Sequence, residues 1–359
     1  MKKLFYFIFF LIFTCFSYAQ AQTTTTTTTT HKHKKSHKIT RHKKHHYKKH
    51  HHSVAAVTTN PAIAAAATVA AKSNPTNSSQ PQSDAGEILD NAANNTNDAA
   101  FNPITKDSNT LRQPRFYSYS TLSVNAKTGE IYTDKNPNVR LPIASISKLM
   151  TAMVTLDSGV DMDGYVTISD DDVDNLRHTY SRLKVGAQYK RSDLLLLALM
   201  SSENRAAHAL ARTSYSGGLK VFIAKMNAKS KNLGMTNTKF YDPTGLNEMN
   251  QSTAMDLSKM VHAAFNYRLI RQDTTTKGSD FYLSKKYIHR YINSDSLVRS
   301  GKFNIEVSKT GFINEAGHCL VLYVMVDSTP VIMVFLNSSG KNGRILDAIA
   351  TKNYIRKIM

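Results

Sequence analysis

The stretch LPIASISKLMTA, at residues 141–152, decides how this chain is interpreted. From its middle onward, apolar residues recur at the spacing of an α-helix: Ile146, Leu149, Met150, Met153 and Val154. We therefore predict a helix that begins at about Ser145 and buries one face. In that helix Lys148 lies one turn after Ser145 on the same face, where its amine can reach the serine hydroxyl.

A serine hydroxyl beside a buried lysine is an arrangement suited to nucleophilic catalysis. Burial disfavours the charged form of Lys148, and a second cation nearby, Lys309, would disfavour it further. A neutral lysine can take the proton of a serine hydroxyl. The backbone N–H of Ser145, at the start of the helix, points towards developing oxyanion charge. We predict that Ser145 is the acylated nucleophile and that Lys148 is its base.

Two more short motifs are predicted to join this pair. Ser202 and Asn204 form a Ser-x-Asn motif in the break between two predicted helices, where a side chain can project into a cleft. Lys309, Thr310 and Gly311 end a predicted strand. We expect Lys309 and Thr310 to hold a carboxylate, and Gly311 to let the substrate backbone lie close.

Each motif alone carries little weight, because it recurs elsewhere in the chain. Ser-x-x-Lys also begins at Ser181 and Ser338, Ser-x-Asn at Ser123 and Ser230, and Lys-Thr-Gly at Lys127. Most of these copies fit loops or a polar helix face, and the copy at Lys127 fits a hairpin turn whose glycine takes a positive φ. Only the copies at Ser145, Ser202 and Lys309 all have surroundings that suit catalysis.

The three motifs, in this order and context, resemble those of the low-molecular-mass penicillin-binding proteins, the serine D-alanyl-D-alanine peptidases. The resemblance extends from about Tyr119 to Lys357. It includes four stretches: residues 141–152, SSENRAA at 201–207, DPTGL at 242–246 and KTGF at 309–312. It implies a hydrolase that acts on peptidoglycan and that β-lactam antibiotics inhibit covalently.

The same resemblance implies a role for each site residue. It implies an acyl-enzyme on Ser145, with Lys148 as the base and Ser202 relaying a proton. It implies substrate binding by three residues: Asn204, Lys309 and Thr310. It also implies that the backbone N–H of Phe312 is a second oxyanion donor. The chain departs from the family pattern at Glu203, where Asp or Gly is commoner, and we expect this residue to leave its two functional neighbours untouched.

The remaining pattern predicts an α/β fold of the β-lactamase/transpeptidase type. Strands are predicted at both ends of the domain: residues 119–125, 130–133, 304–309, 318–327 and 331–337. Helices are predicted between them and at the end: residues 193–200, 204–212, 220–233, 253–265 and 344–359. This order predicts an antiparallel sheet built from both ends of the domain and flanked by helices, with an inserted all-helical lobe.

The whole chain is predicted to have three parts. Residues 1–19 fit a signal peptide, with a short basic start and an apolar run too short to span a bilayer. Residues 20–111 are predicted to be a disordered linker, with a threonine tract at 23–30 and nine Lys or Arg and nine His at 31–52. Residues 112–359 are the predicted serine DD-peptidase domain. We therefore expect an exported protein of the periplasm.

The net charge and the cysteine content limit the kinds of ligand and partner that we expect this chain to bind. The formal net charge is +20, and residues 112–359 contribute +12 of it, from 33 basic and 21 acidic side chains. No helix-turn-helix, zinc-ligand or RNA-binding pattern accompanies this charge, so we expect no nucleic acid, no metal and no cofactor. The His/Lys tract at 31–52 is either a spacer or a contact to anionic surfaces of the wall or outer membrane. Cys319, the only cysteine after signal removal, is expected to be a small core residue.

Three other functions remain open at this point. A class A β-lactamase has a Glu-x-x-x-Asn loop after its Ser-x-Asn motif, but no Glu between Ser202 and Lys309 has Asn four residues on. A penicillin acyl-enzyme is therefore expected to be long-lived. A non-catalytic wall-binding or metal-buffering protein would not need Ser145 and Lys148 together. A D-alanyl-D-alanine carboxypeptidase would use the same chemistry with a different leaving group.

Between the two peptidase activities, two features favour a D-alanyl-D-alanine endopeptidase. The sequences around Ser202 and at residues 309–320 most resemble the endopeptidase branch of the family. In addition, 48 residues follow Gly311, enough for two strands and a closing helix. We expect no room there for the extra β-domain and membrane-binding tail of many carboxypeptidases.

Overall fold

The structure is a computed structural model, and it describes residues 101–105, 111–284 and 287–359. The predicted signal peptide at residues 1–19 lies outside these residues, and so does most of the predicted linker at residues 20–111. The domain boundaries therefore stay predictions.

A six-stranded sheet joins the two ends of the described chain. Its first three strands are β1 (Ile104–Thr105), β2 (Ser118–Asn125) and β3 (Glu130–Lys135). Its last three are β10 (Asn304–Ile313), β11 (Gly317–Val326) and β12 (Thr329–Ser338). The strand order is β1-β3-β2-β12-β11-β10, in which β12 pairs antiparallel with β2 and β10 lies at one edge. The predicted sheet built from both ends of the domain is confirmed.

Between these two groups of strands the chain is mainly helical. A 3₁₀ turn, Ala144–Ile146, precedes the first helix. The α-helices of the described chain are α1 (Ser147–Asp157), α2 (Arg191–Met200), α3 (Asn204–Thr213), α4 (Gly218–Asn232), α5 (Ala254–Phe265), α6 (Arg268–Thr275), α7 (Ser296–Ser300) and α8 (Gly343–Ile358). Among the described residues, no helix has the length and apolar content needed to cross a membrane.

The inserted lobe differs from the prediction in one respect, because it is not all-helical. It also carries three two-stranded ribbons: β4 (Leu141–Pro142) with β7 (Gln251–Ser252), β5 (Tyr165–Thr167) with β6 (Gln188–Lys190), and β8 (Gly278–Ser284) with β9 (Tyr287–Ile292). These strands are short or largely exposed, so they carry little of the long apolar alternation that indicates a strand.

Alternate side chains of β11 enter two separate cores, one on each face of the sheet. Leu320 and Leu322 pack on the side of the closing helix α8, whereas Cys319 and Val321 pack with the helical lobe. Cys319 is buried and free, and burial raises the pKa of its thiol to about 11. This cysteine is therefore a core residue, as predicted.

Part of the predicted linker belongs to the sheet. Strand β1 pairs in parallel with β3, with Ile104 opposite Glu130. The ring of Phe101 stacks on His262, with 4.3 Å between centroids. Residues 101–105 thus differ from the prediction of disorder to residue 111, because the ring of Phe101 packs on the folded domain and the backbone of residues 104 and 105 pairs with β3.

The hairpin between β2 and β3 turns where the sequence predicts. Gly129 has φ +77°, and a Cβ at this position would lie 2.7 Å from the carbonyl oxygen of Asn102. The Lys-Thr-Gly copy that begins at Lys127 is therefore a turn, as predicted.

Helix α1 lies at the centre of the domain, where residues 147–155 are all buried. A helix buried on every side is normally apolar all round. A lysine at position 148 of such a helix must find polar partners, because an isolated buried charge is costly. Those partners define the candidate site.

Candidate active site

Ser145 lies in the 3₁₀ turn that leads directly into α1. The helix predicted from about Ser145 is therefore made of two pieces, with the α-helix beginning at Ser147. Ala144 has φ +48°, a left-handed conformation that is unfavourable for a residue with a Cβ. Lys148 follows Ser145 by three residues, and residues three apart lie on the same side of a 3₁₀ turn.

The amine of Lys148 contacts three oxygens. Its Nζ lies 2.9 Å from Ser145 Oγ, 2.7 Å from Asn204 Oδ1 and 2.7 Å from the carbonyl oxygen of Thr244. The amide and carbonyl oxygens can only accept hydrogen bonds, whereas a serine hydroxyl can donate or accept. A neutral amine has two N–H groups and one lone pair, so it can donate to both acceptors and direct its lone pair at the hydroxyl of Ser145. This arrangement suits removal of the proton from Ser145.

The amide of Asn204 is oriented by a chain of hydrogen bonds. Its Nδ2 donates to Thr179 Oγ1 at 3.0 Å, and Thr179 Oγ1 donates to Asp174 Oδ2 at 2.7 Å. Because Thr179 gives its only hydroxyl proton to Asp174, the amide presents its oxygen to Lys148. Thr179 and Asp174 are not among the predicted site residues, since they belong to no motif and reach the site only through the fold.

Burial lowers the pKa of Lys148 from 10.5 to about 8. Three carboxylates oppose this shift and raise the pKa: Asp242, Glu203 and Asp174. Burial is thus the cause of the shift at Lys148, and the expected repulsion between Lys148 and Lys309 lowers the pKa of Lys309. The charge of Glu203 acts on Lys148, a residue that the prediction for its neighbours Ser202 and Asn204 did not include.

Ser202 and Lys309 form a second pair across the cleft. Ser202 lies between α2 and α3 with φ +64°, in the left-handed region, and its side chain accepts a hydrogen bond from Lys309 Nζ at 2.9 Å. The same amine donates to the carbonyl oxygen of Thr310 at 3.0 Å. Burial holds the pKa of Lys309 well below its usual range, and the charges of Lys148 and Arg344 lower it further.

Two residues that were not predicted support the end of β10. Ser294 Oγ and Thr310 Oγ1 are hydrogen-bonded at 2.7 Å. Arg344, from α8, donates from Nη1 to the carbonyl oxygens of Gly311 and Cys319 at 2.9 Å each. Both contacts join segments far apart in the chain, so no local sequence signal indicates them.

Gly311 and Gly245 let two chain segments pack against the turn that carries Ser145. A Cβ on Gly311 would lie 2.9 Å from the carbonyl oxygen of Ile143, and a Cβ on Gly245 would lie 1.9 Å from that of Ala144. Gly311 was predicted to make room for the substrate backbone. In the structure it lines the cleft, and it also makes room for the turn that carries Ser145.

We expect Gly245→Ala to reduce stability by about 2–4 kcal/mol, because it adds a clash with the Ala144 carbonyl to the strain of a positive φ. The matched control is Gly186→Ala. Both glycines have nearly the same φ, +81° and +83°, but no atom lies within 4 Å of the Cβ position at Gly186. Chemical denaturation of both variants should show the larger loss at Gly245. Equal losses would contradict the proposed close packing.

Asp242 and Asn250 hold the loop that carries the Thr244 carbonyl. The carboxylate of Asp242 accepts from the backbone N–H groups of Thr244 and Asn247, both at 2.8 Å. Asn250 Nδ2 donates to Ser147 Oγ at 3.0 Å, which ties the loop to the first turn of α1. The Asp-Pro-Thr-Gly-Leu stretch, quoted above only for a resemblance, thus fixes one partner of Lys148.

A cleft of about 470 Å³ opens over these groups. Five of the seven predicted site residues line it: Ser145, Ser202, Asn204, Thr310 and Gly311. The other two, Lys148 and Lys309, are 1% exposed and lie beneath it. The amine of Lys148 is hydrogen-bonded to Ser145, and the amine of Lys309 to Ser202. The structure therefore brings all seven predicted residues together.

The other motif copies do not line this cleft: Ser123, Lys127, Ser181, Ser230 and Ser338. Ser230 Oγ donates to the carbonyl oxygen of Asn227 within α4, and Ser181 is hydrogen-bonded to Glu203. The choice of one copy of each motif agrees with the geometry.

Residues 107–340 match the family described as D-alanyl-D-alanine carboxypeptidase. The chain is 42% identical over 252 residues to a D-alanyl-D-alanine endopeptidase of Escherichia coli, a match that covers 70% of this chain and 81% of the relative. It is also 42% identical over 244 residues to a D-alanyl-D-alanine endopeptidase of Pseudomonas aeruginosa, covering 68% and 78%.

A solved structure shows the same fold. The DD-transpeptidase of Streptomyces K15 superposes with a TM-score of 0.64 at 30% identity, covering 68% of this chain and 98% of that one. The predicted α/β fold of the transpeptidase type is confirmed by this similarity.

Proposed function

This chain belongs to the family of D-alanyl-D-alanine carboxypeptidases, and from that premise we propose that it cleaves peptidoglycan cross-links through an acyl-enzyme on Ser145. It is a serine-type D-Ala–D-Ala peptidase, a hydrolase. One observation carries the proposed mechanism: the buried amine of Lys148 lies 2.9 Å from the hydroxyl of Ser145.

In the acylation step, neutral Lys148 takes the proton of Ser145 as Oγ attacks the carbonyl carbon of the penultimate D-residue. The other two contacts of the amine, to Asn204 and Thr244, hold its lone pair in the direction of the hydroxyl. The backbone N–H groups of Ser145 and Phe312 stabilise the oxyanion. The peptide bond to the leaving residue then breaks, and a later attack by water releases the acyl group.

The second pair serves the leaving group. Lys309 and Thr310 hold its carboxylate, and Ser202 relays to the departing amine the proton that Lys148 took from Ser145, so that both side chains return to their starting protonation states. This assignment is supported by the hydrogen bond between Lys309 and Ser202, which connects the carboxylate site to a hydroxyl inside the cleft. Asn204 has two tasks, because it orients Lys148 and also lines the cleft where the acyl chain lies.

We expect the rate of acylation by benzylpenicillin to rise with pH through a midpoint near 8. The neutral form of Lys148 is the active one, and the pKa of about 8 makes it scarce at pH 6. Well below the midpoint the rate should therefore fall about tenfold per pH unit. Stopped-flow measurement of acylation between about pH 6 and pH 9 checks this, and a rate independent of pH would exclude Lys148 as the base.

The variant Glu203→Gln should change how the rate of acylation depends on pH. The charge of Glu203 raises the pKa of Lys148, so its removal should move the midpoint to lower pH. Glu306→Gln removes a charge that is not among the causes of the shift at Lys148, and should leave the midpoint in place.

The leaving group is proposed to be a cross-linked stem peptide. The site chemistry admits both leaving groups, because a terminal D-Ala and the D-centre of a cross-linking diaminopimelate each offer a carboxylate. Support for the endopeptidase comes from the two relatives of that name, each 42% identical to this chain. The carboxypeptidase reaction is the alternative.

The deciding experiment supplies purified D-Ala–diaminopimelate cross-linked dimers and pentapeptide monomers in one reaction, followed by mass analysis. We expect the dimers to be converted to monomers faster than the pentapeptides lose D-Ala. If the pentapeptides are trimmed and the dimers remain intact, the protein is a carboxypeptidase.

We also propose that the protein is exported to the periplasm and that the His/Lys tract at residues 31–52 contacts anionic surfaces. The support is the sequence: an N-terminal signal-like segment and a tract of basic and histidine residues. Deleting residues 31–52 should leave hydrolysis of soluble substrate unchanged and weaken sedimentation with wall sacculi, most strongly at low salt. Equal sedimentation with and without the tract would leave it as a spacer.

A further inference from the structure

In addition to Arg344, whose guanidinium donates to the carbonyl oxygens of Gly311 and Cys319, the cleft is lined by Arg177, a basic side chain that no motif includes. Arg177 lines the cleft together with Leu246, Ile313 and Asn314. Its guanidinium contacts Glu315, which follows the end of β10, on the side away from Lys309. It therefore lies at the opposite end of the cleft from the proposed carboxylate site.

This step rests on the proposed function. The direction of β10 then determines which part of the substrate lies at the end of the cleft that Arg177 lines. The leaving residue has its carboxylate at Thr310, and the reacting carbonyl lies at Ser145, whose N atom is close to Gly311. The acyl chain must then continue beside Phe312 towards Asn314. At about 3.3 Å per residue, Thr310 and Asn314 are roughly 13 Å apart, which spans the first few residues of an extended acyl peptide.

The guanidinium of Arg177 has hydrogen-bonding capacity to spare. Its Nε donates to the carbonyl oxygen of Leu246 at 2.5 Å, and its Nη2 is shared by Glu248 at 3.2 Å and Glu315 at 2.9 Å. Within the part of the chain that the structure describes, Nη1 donates to no protein atom. The glutamates are 48% and 44% exposed, so their ion pairs with Arg177 are weak and screened by solvent.

We infer that Arg177 is a specificity-determining residue that binds a carboxylate on the acyl part of the stem peptide, before the scissile bond. A peptide carboxylate here would take the free Nη1 and displace one of the two rim glutamates from Nη2, giving a two-point contact. Such paired contacts between guanidinium and carboxylate are stronger and more directional than a single shared one. Stem peptides carry free carboxylates on the residues that precede the terminal D-alanines, which supplies the partner.

The test compares two synthetic peptide dimers that are cross-linked through D-Ala–diaminopimelate and differ in one group. One carries a free carboxylate on the acyl part, and the other carries the primary amide at the same position. We expect the wild-type protein to prefer the carboxylate peptide in kcat/KM by about 10- to 100-fold, the range for hydrogen bonds to charged groups. In Arg177→Gln this preference should fall to about one, and the loss should appear mainly in KM.

Further variants separate recognition from a structural role. Arg177→Lys keeps the charge without the fork and should retain only part of the preference, whereas Glu315→Gln removes a competitor and should keep or increase it. If both peptides lose kcat/KM equally in Arg177→Gln, the residue merely holds the loop and the inference is overturned. A wild-type ratio near one overturns it as well. If wild-type protein hydrolyses neither peptide, the proposed function fails first, and the inference that rests on it fails too.

Discussion

Replacing Lys148 by Arg is expected to lower the rate of acylation at Ser145 by about 10²–10⁴-fold, the usual effect of losing acid–base catalysis. Arginine keeps the positive charge but does not release a proton in a protein, so it has no lone pair to offer the serine hydroxyl. A planar guanidinium also cannot reproduce the three contacts of the amine, to the hydroxyl of Ser145, the amide of Asn204 and the carbonyl of Thr244.

The second-order rate of acylation by a fluorescent penicillin measures this effect. The matched control is Lys184→Arg, because Lys184 is the lysine of another Ser-x-x-Lys motif, at Ser181, which does not line the cleft. We expect the control to acylate within about twofold of wild type, since surface substitutions usually have small effects. A Lys148→Arg protein that acylates as fast as wild type would remove Lys148 from the mechanism.

Ser145→Ala is expected to abolish covalent labelling by penicillin and to lower peptide hydrolysis by more than about 10³-fold, as loss of a nucleophile does. The fold should survive, because Lys148 keeps its contacts with Asn204 and Thr244 when the hydroxyl is removed. Thermal unfolding is therefore expected to stay within a few degrees of wild type.

Ser181→Ala is the control for that experiment, since it removes the serine of the other Ser-x-x-Lys motif. We expect this variant to be labelled at the wild-type rate. Labelling that persists in Ser145→Ala, or disappears in Ser181→Ala, would show that the nucleophile has been assigned wrongly.

The sequence was sufficient to predict those parts of the site that depend on short spacing along the chain. Ser145 and Lys148 are three residues apart where the 3₁₀ turn leads into α1, so their contact follows from local geometry. The motif at Lys309 was predicted to end a strand, but β10 continues to Ile313 and contains the motif. The place of β10 at the sheet edge agrees with a sheet built from both chain ends.

Features that depend on contacts between distant segments were not predicted. The orientation of Asn204 depends on Thr179, 25 residues earlier in the chain, and the Thr244 carbonyl contacts an amine 96 residues away. The close approach of Gly311 to the carbonyl of Ile143 was missed for the same reason, because the two residues lie on different segments of the chain. Spacing in a sequence carries no information on such approaches.

Elements with weak periodicity were missed as well. Strands β8 and β9 leave Tyr282, Ile288 and Ile292 exposed, so their outward face does not show the polar pattern that marks a half-buried strand. The left-handed backbone conformation of Ser202 could not be predicted either, because glycine is the residue that indicates a positive φ in a sequence.

The most direct test of the central claim is to locate the covalent adduct that benzylpenicillin forms with the wild-type protein. After digestion with trypsin, the peptide LPIASISK at residues 141–148 should carry the added mass, and fragmentation should place it on Ser145 rather than Ser147. An adduct on the peptide that contains Ser181, or on the one that contains Ser202, would contradict the account.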